Sequence, residues 1–504
     1  MQTKKDRFIQ LAIAFLIPVF VAAMPMLLFW AGNAVELVEA IQGLWPVLLS
    51  ALVGAAVAAA VWFAGGKHCV VTALLGAVIS FILTGFSFFF KLAGLLPFLH
   101  EGVAALLIAA AVLALAAFAI RRIRDLEFVT LFLPVLCLVL GMLTVFNVFN
   151  ALRQIEAQPD KVPVASESSA DLPNLYLIVS DEMGDFHTME KYYGIPEEEN
   201  SFRNYLLEKG FNLSTESYAY RNHTTWCTAD LMSLSYVSEP DMTNQEAREI
   251  SHDGLIFRET AALGYGNAQV SSHKDHHPQL PDLSGEPFAE RLVSTITFDG
   301  ETVFDIWLQR SVFSLLRAFT PEGQATFLDR FSASILDSRM ARAERWFLDP
   351  ASYRHEGPLA VYSYFLAPHT PFYCDAEGNA HPAGERCNWG DTAYYRGAWE
   401  YTAAFYQRIF DSIIANDPEA IIILMSDHGV RGGLYTTETV EIDLPDQCRI
   451  FNAVYYGGEE FDIEGLSSVN TVRAVLSSLG ADFPPVEDPD FMYYQDSPLF
   501  ATGG

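Results

Sequence analysis

The stretch Ala420-Ile-Ile-Ile-Leu-Met-Ser-Asp-His-Gly429 decides the fold. Its first six residues are apolar and mostly Ile and Leu. A short apolar run that stops at a turn glycine predicts a strand buried on both faces, as in a parallel sheet covered by helices. Such a strand delivers Ser426, Asp427 and His428 to its C-terminal end, where open α/β sheets hold their ligands. A second run, Asn174-Leu-Tyr-Leu-Ile-Val-Ser180, has the same character and ends in Asp181-Glu182-Met183-Gly184. Carboxylates are seldom buried unless they are paired or bind a cation. Two strand ends carrying Asp181, Glu182, Asp427 and His428 therefore point to a metal site.

Around these two strands the chain alternates. Apolar runs at 265–271, 359–366 and 449–456 predict further strands. Amphipathic segments at 201–209, 225–236, 303–318, 332–347, 392–415 and 468–479 predict helices. Strands alternating with helices give an α/β class with a mostly parallel sheet covered on both sides.

The first third reads differently. Five apolar stretches, at 8–30, 44–64, 70–90, 103–120 and 128–150, are long enough to cross a bilayer. Lys4, Lys5 and Arg7 precede the first, Lys67 follows the second, and Arg121, Arg122 and Arg124 follow the fourth. The intervening loops carry Glu36, Glu39 and Glu101, with Lys91 as the exception. The positive-inside rule then places the N-terminus in the cytoplasm and everything after residue 150 outside. The first stretch has the length of a retained span rather than of a removable leader. The expected organisation is a transmembrane domain of five spans over 1–155, a polar Pro/Ser-rich linker over 156–173, and an extracytoplasmic catalytic domain over 174–504.

Charge divides along the same line. Residues 1–156 hold nine Lys/Arg and seven Asp/Glu, against 31 and 61 in the whole chain of net charge −30. Nearly all the acidic excess lies in the C-terminal part, which argues against nucleic acid as a partner. Of the six cysteines, Cys374 and Cys387 bracket one polar loop and are the first choice for a disulfide outside the cell, with Cys227 and Cys448 left to pair or stay reduced.

A metal at the sheet edge calls for a nucleophile. The segment Tyr220-Arg-Asn-His-Thr-Thr-Trp-Cys-Thr-Ala-Asp230 passes from polar residues into a helix-compatible run beginning near Thr224 or Thr225. A hydroxyl there feels the positive end of the helix dipole. The same threonines could instead do no more than cap the helix.

These motifs, with Leu366-Ala-Pro-His-Thr-Pro-Phe372 and Asn470-Thr-Val-Arg473, resemble the membrane-bound branch of the alkaline phosphatase/sulfatase superfamily. Lipoteichoic acid synthases and phosphoethanolamine transferases belong to it. The resemblance spans the five-span anchor and residues 174–504. It implies an alkaline phosphatase/sulfatase-like α/β sandwich and a divalent ion, Mn²⁺ or Zn²⁺, with Mg²⁺ or Ca²⁺ as alternatives. Its ligands would be Asp181, Thr225, Asp427 and His428, with Glu182 beside them. Thr225 is preferred over Thr224 as nucleophile because Thr228 follows it by three positions. The resemblance also gives His369 a substrate contact; His273, which follows a strand, and Arg431, just after Asp-His-Gly and suited to phosphate geometry, are further substrate-binding candidates from the residues themselves. The chain departs from formylglycine sulfatases, since Cys227 is followed by Thr228-Ala229-Asp230 with neither Pro nor Arg. It also lacks the Leu-His-Gly motif of phosphoethanolamine transferases. The implied function is transfer of a phospholipid head-group phosphate ester, glycerophosphate or phosphoethanolamine, from a membrane lipid to an envelope glycan or lipid. The alternatives are hydrolysis of an envelope sulfate or phosphate ester, and a catalytically silent glycan- or partner-binding domain.

Overall fold

A computed structural model of the chain describes residues 4–32, 40–94, 96, 98–122, 126–154, 172–237, 242–271, 277, 280–284, 297–298, 301–321, 324–355, 357–382, 385–432, 440–490 and 492. The linker expected at 156–173 lies, apart from its last two residues, outside this set. The chain forms two compact units, one of 1–157 with 288–335, the other of 158–287 with 336–504.

The first unit contains α1 (Lys4–Gly32), α2 (Ala40–Ala64), α3 (Cys69–Thr84), α4 (Ser87–Ala93), α5 (Glu101–Arg122) and α6 (Leu126–Gln154). Helices α1, α2, α5 and α6 are each long and apolar enough to cross a membrane. The third expected span is not one straight helix. It breaks between α3 and α4, which are bent by 77° to each other, so the count of crossings is four, or five with the bent pair taken as one. The break falls at Gly85, just after Thr84 turns its hydroxyl back onto the Ser80 carbonyl at 3.0 Å. A glycine next to such a back-bond is a common place for a helix to kink. Small residues set the helix spacing, as expected where lipid supplies no hydrophobic drive between helices. A Cβ on Gly54 would lie 2.6 Å from the Pro18 carbonyl oxygen, so α1 and α2 touch backbone to backbone there.

The sequence assigns all of 174–504 to one domain. The contacts correct this. Residues 288–335 belong with the membrane helices, because Ile306, Trp307 and Leu308 bury their side chains among Ala23, Met26, Leu27, Trp30 and Val47. The helix expected over 303–318 is also two pieces, α12 (Val303–Arg310) and α13 (Ser314–Ala318).

The second unit is a six-stranded sheet. Its strands are β1 (Leu175–Ser180), β2 (Asn212–Leu213), β3 (Gly266–Gln269), β6 (Leu359–Phe365), β7 (Ile421–Ser426) and β8 (Asn452–Tyr456), in the order β2-β8-β7-β1-β6-β3. A separate two-stranded ribbon pairs β4 (Thr297–Phe298) with β5 (Glu301–Thr302). Strands β3, β6, β1 and β7 run parallel, and β8 is antiparallel to β7. Side chains alternate across the sheet, so each face has its own core. Tyr176, Ile178, Ile422 and Leu424 pack under α7 (Phe186–Tyr193), α8 (Ser201–Glu208) and α15 (Thr392–Asn416). Leu175, Leu177, Val179, Ile421, Ile423 and Met425 pack under α9 (Thr224–Met232), α11 (Leu255–Leu263) and α16 (Ser468–Ser478). Helix α10 (Asn244–Asp253) completes the set, and α14 (Phe327–Leu348) begins in the first unit and ends in the second. Burying one large aliphatic side chain is worth about 1.5–3 kcal/mol, so the two central strands anchor the unit. The fold is α/β with a mostly parallel sheet between helical layers.

The described residues contain no disulfide. The expected Cys374–Cys387 bridge is not formed: Cys374 is buried and Cys387 exposed.

Asn174 closes the N-terminal end of the sheet. Its Oδ1 accepts from Leu359 N at 2.8 Å and its Nδ2 donates to Asp417 Oδ2 at 2.7 Å. Asn174→Ala leaves both partners short of a bond, which costs about 1–3 kcal/mol. We expect a lower unfolding midpoint in a thermal melt, with metal affinity unchanged.

Candidate functional site

Strand register builds the site. Ser180 of β1 sits opposite Ser426 of β7, so the next residues, Asp181 and Asp427, leave the sheet side by side. Asp181 N donates to Phe365 O at 2.8 Å, and Asp427 N donates to Ser180 O at 3.3 Å. The ligand atoms of Asp181, Asp427 and His428 all lie within 4.8 Å of one another, and all three residues are buried. This is the one such group among the described residues.

The Asp427 carboxylate is held from three directions. Its Oδ1 accepts from Glu182 N at 3.0 Å and from His428 N at 2.8 Å, and its Oδ2 accepts from the Tyr364 hydroxyl at 3.2 Å. To aim its N–H in this way, Glu182 adopts φ +56°, a left-handed conformation that side chains other than glycine rarely take. Asp181 Oδ1, by contrast, is buried and accepts no hydrogen bond. Burial raises the pKa of both carboxyls, and the charge of Asp427 raises that of Asp181 further. Burial pushes His428 down to about 3, so its ring is neutral. The His428 Nδ1–H donates to the Gly429 carbonyl at 2.7 Å. That leaves Nε2 as a lone pair, 3.8 Å from Asp181 Oδ1 and 3.6 Å from Asp427 Oδ2. A ligand histidine is oriented by just such a bond from its other nitrogen. Two crowded carboxylates, an unsatisfied oxygen and a neutral imidazole form a donor set that could hold a divalent cation.

Helix α9 brings the hydroxyl. The sequence prefers Thr225, but the structure places Thr224 on the group: its Oγ1 lies 3.2 Å from His428 Nε2. Thr224 is the first residue of α9, and His223 precedes it in extended conformation. Thr225 is a helical step further round, about 100° away, and makes no hydrogen bond to the group. Thr228, which favoured Thr225 by spacing, spends its hydroxyl on the Thr224 carbonyl at 2.6 Å.

A ring of charge borders the group. Glu182 Oε1 accepts from Arg431 N at 2.6 Å, and Glu182 Oε2 lies 3.5 Å from His369 Nε2. Arg431 Nη2 is 3.3 Å from the same His369 nitrogen. His369 and Arg431 thus stand together, and Glu182 orients both. His273 lies outside the described residues.

Two further residues were not singled out from the sequence. Tyr364 reaches Asp427 because β6 lies beside β1, and nothing in its local sequence signals that. His223 is partly buried, its Nδ1 has no hydrogen-bond partner, and burial brings it down to about 3, with Arg431, His428 and His369 close enough to add to the shift. Its place next to Thr224 is the signal that could have found it. Cys227 is buried against Ala219 and Ile450, and burial raises its thiol pKa, so it lacks the thiolate character of a reactive cysteine.

No protein-family model and no curated protein matches the chain. Among solved structures, similarity extends to the phosphonate monoester hydrolase of Agrobacterium radiobacter, 14 % identical over 61 % of this chain and 74 % of that one, with a TM-score of 0.36. It extends also to the C-terminal periplasmic domain of EcEptC from Escherichia coli, 11 % identical over 63 % and 86 %, with a TM-score of 0.35. A third is BT1596, a 2-O GAG sulfatase, 12 % identical over 64 % and 73 %, with a TM-score of 0.38. At this level of likeness the functional argument rests on the site geometry.

The raised carboxyl pKa values carry a stability consequence. The folded state holds more protons than the unfolded chain, so the metal-free fold loses stability as pH rises through the carboxyl range. Asp181→Asn removes this repulsion. We expect a higher melting midpoint for the variant than for wild type in chelator. In Mn²⁺ or Zn²⁺ at 100 times Kd, wild type should gain about 2.7 kcal/mol and Asp181→Asn much less.

Proposed function

We propose that the chain is a metal-dependent, membrane-anchored phosphotransferase or phosphodiesterase of the alkaline phosphatase/sulfatase type, with Thr224 as nucleophile. The observation that carries this reading is the hydrogen bond of the Thr224 hydroxyl to His428 Nε2, within the buried Asp181–Asp427–His428 group.

Asp181, Asp427, His428 and Thr224 would hold the ion. When bound, it supplies charge that lowers the pKa of the hydroxyl and stabilises oxygens of the transferred group. The chain does the rest. The first turn of α9 presents Thr224 at the positive end of a helix dipole. Arg431 and His369, gathered by Glu182, are placed to take the non-bridging oxygens of a phosphoryl group. Thr224 Oγ1 forms the new P–O bond as the bond to the leaving alcohol breaks, and the alcohol departs with a proton. An acceptor hydroxyl or water then releases the phosphothreonine ester, closing a two-step cycle. The buried thiol of Cys227 supports threonine rather than formylglycine chemistry.

The anchor suggests the donor. A lipid head group confined to the same membrane is presented at high effective concentration, so the reading favours a glycerophospholipid donor and an envelope glycan or lipid acceptor. With the N-terminus inside, the second unit acts in the periplasm or outside the cell. Hydrolysis of an envelope ester is the same first step with water as acceptor.

The test is intact mass of the full chain after incubation with Mn²⁺ and a crude lipid extract. Wild type and Thr225→Ala should carry a phosphate-containing adduct whose mass names the head group. Thr224→Ala should carry none and turn over roughly a thousandfold or more slowly, as expected for loss of a nucleophile. An adduct that persists in Thr224→Ala and vanishes in Thr225→Ala would reverse the assignment.

A further inference from the structure

Between β3 and β6 the chain leaves the catalytic half and joins the membrane helices. Its contacts there are specific. Trp307 Nε1 donates to Ser50 Oγ at 3.0 Å, and Val312 N donates to the Leu83 carbonyl at 2.8 Å. The Arg310 guanidinium stands 5.2 Å over the Phe29 ring. Phe319 stacks on His100 at 5.3 Å with planes 7° apart. A Cβ added to Gly102 would lie 3.1 Å from both Ala318 and Phe319, so α13 crosses the start of α5 at close range.

One side of this docked segment stays uncovered, and it is apolar. Phe313, Leu316 and Phe319 recur every third residue and are 44, 49 and 52 % exposed. Phe327 and Phe331, one helical turn apart, are 77 and 48 % exposed. A contiguous apolar face of this kind on an aqueous surface marks a binding site or a membrane contact. What covers it is indicated by its neighbours. The helix it docks against is exposed and apolar too: Phe98 and Leu99 precede His100, which stacks on Phe319, and Val103, Leu106 and Leu107 are exposed on α5, a helix of membrane-spanning length.

We propose that residues 303–321 and 324–331 re-enter the bilayer and lie in its interface, with Phe313, Leu316 and Phe319 among the acyl chains. The C-terminal half then has a second attachment to the membrane besides residues 156–173. The arrangement is that of an interfacial apolar helix, held here by span contacts rather than by basic residues, since Arg317 is paired with Asp329 at 3.4 Å. The inference rests on the membrane reading of α1–α6 and is independent of the chemistry proposed for Thr224.

The test uses the full chain reconstituted in vesicles of phosphatidylethanolamine and phosphatidylglycerol. The photo-crosslinker p-benzoylphenylalanine replaces Leu316 or Phe313. Leu115, 68 % exposed on α5, is the lipid-facing control, and Glu190, exposed on α7, is the aqueous one. Lipid adduct at positions 316 and 313 should approach that at 115 and exceed that at 190 at least about tenfold. Adduct at 115, with no more at 316 and 313 than at 190, would overturn the proposal and leave the spans intact. Crosslinks from 316 to a second copy or to another protein would also overturn it. Lipid adduct at none of these positions would remove the membrane reading and this inference with it.

Discussion

The candidate site depends on one constraint: two carboxylates leave adjacent strands at the same level of a buried sheet. With Ser180 opposite Ser426, Asp181 and Asp427 have no freedom to part. Like charges this close and out of water repel strongly, because the surrounding dielectric no longer screens them. The chain satisfies one of them, giving Asp427 two backbone N–H donors and the Tyr364 hydroxyl. It leaves Oδ1 of the other without a donor. The asymmetry has a chemical sense, since a carboxylate already saturated by the protein is oriented, while an oxygen left bare has a lone pair to offer. Neutral His428, fixed through the Gly429 carbonyl, completes a set that could hold a cation and that otherwise favours protonated carboxyls.

The position of Thr224, the proposed nucleophile, is held by a relay of close packing. Gly429 follows His428, and a Cβ there would lie 2.1 Å from Asp446 O and 2.6 Å from Arg449 O. The 445–449 turn therefore presses on the Asp-His-Gly backbone, and Gly429 N donates to Gln447 O at 3.0 Å. Gln447 passes this position on, its Oε1 accepting from Asn222 Nδ2 at 3.0 Å. Asn222 stands two residues before Thr224. The loop that holds the ligand histidine and the segment that opens α9 are thus fixed to each other, independently of the bond between His428 and Thr224. Arg221 contributes from the same segment, buried 3.5 Å from Asp230 within α9.

The sheet and the cluster of Asp181, Asp427 and His428 were legible in the sequence for a simple reason. A strand buried on both faces must be apolar throughout, so Asp181 and Asp427 stand out at the ends of β1 and β7. The choice between Thr224 and Thr225 was not legible, because a helix start shifted by one residue turns the side chains by about 100°, and spacing to Thr228 carries no information on where the first turn begins. Tyr364 was hidden for another reason. Its role follows from β6 lying beside β1, a pairing between residues 185 apart, as Leu175 and Ala360 are. The break of the third span at Gly85 leaves apolar composition unchanged on both sides, so hydropathy runs through it. The docking of 303–319 on the spans was likewise masked, because an amphipathic segment inside a catalytic half reads as one more covering helix.

That docking carries a consequence for assembly. Trp30, Phe86 and Phe89 are among the most deeply buried side chains of the membrane unit. Trp30 shares its cluster with Ile306, Trp307 and Leu308, and the two phenylalanines share theirs with Val312 and Leu315. During synthesis the spans emerge long before residue 303, so these aromatic surfaces first meet lipid, or each other, without their final cover. Transfer between lipid and an apolar protein surface yields little hydrophobic gain. Late docking must therefore be driven by shape and by specific bonds, and the structure supplies both: backbone packing at Gly102, the Trp307–Ser50 bond, and the Val312 amide on the Leu83 carbonyl. Leu83 owes its availability to the break at Gly85, where the next turn of helix that would have used its carbonyl is missing. The bend between α3 and α4 and the docking of residues 303–319 on these helices are two sides of one contact.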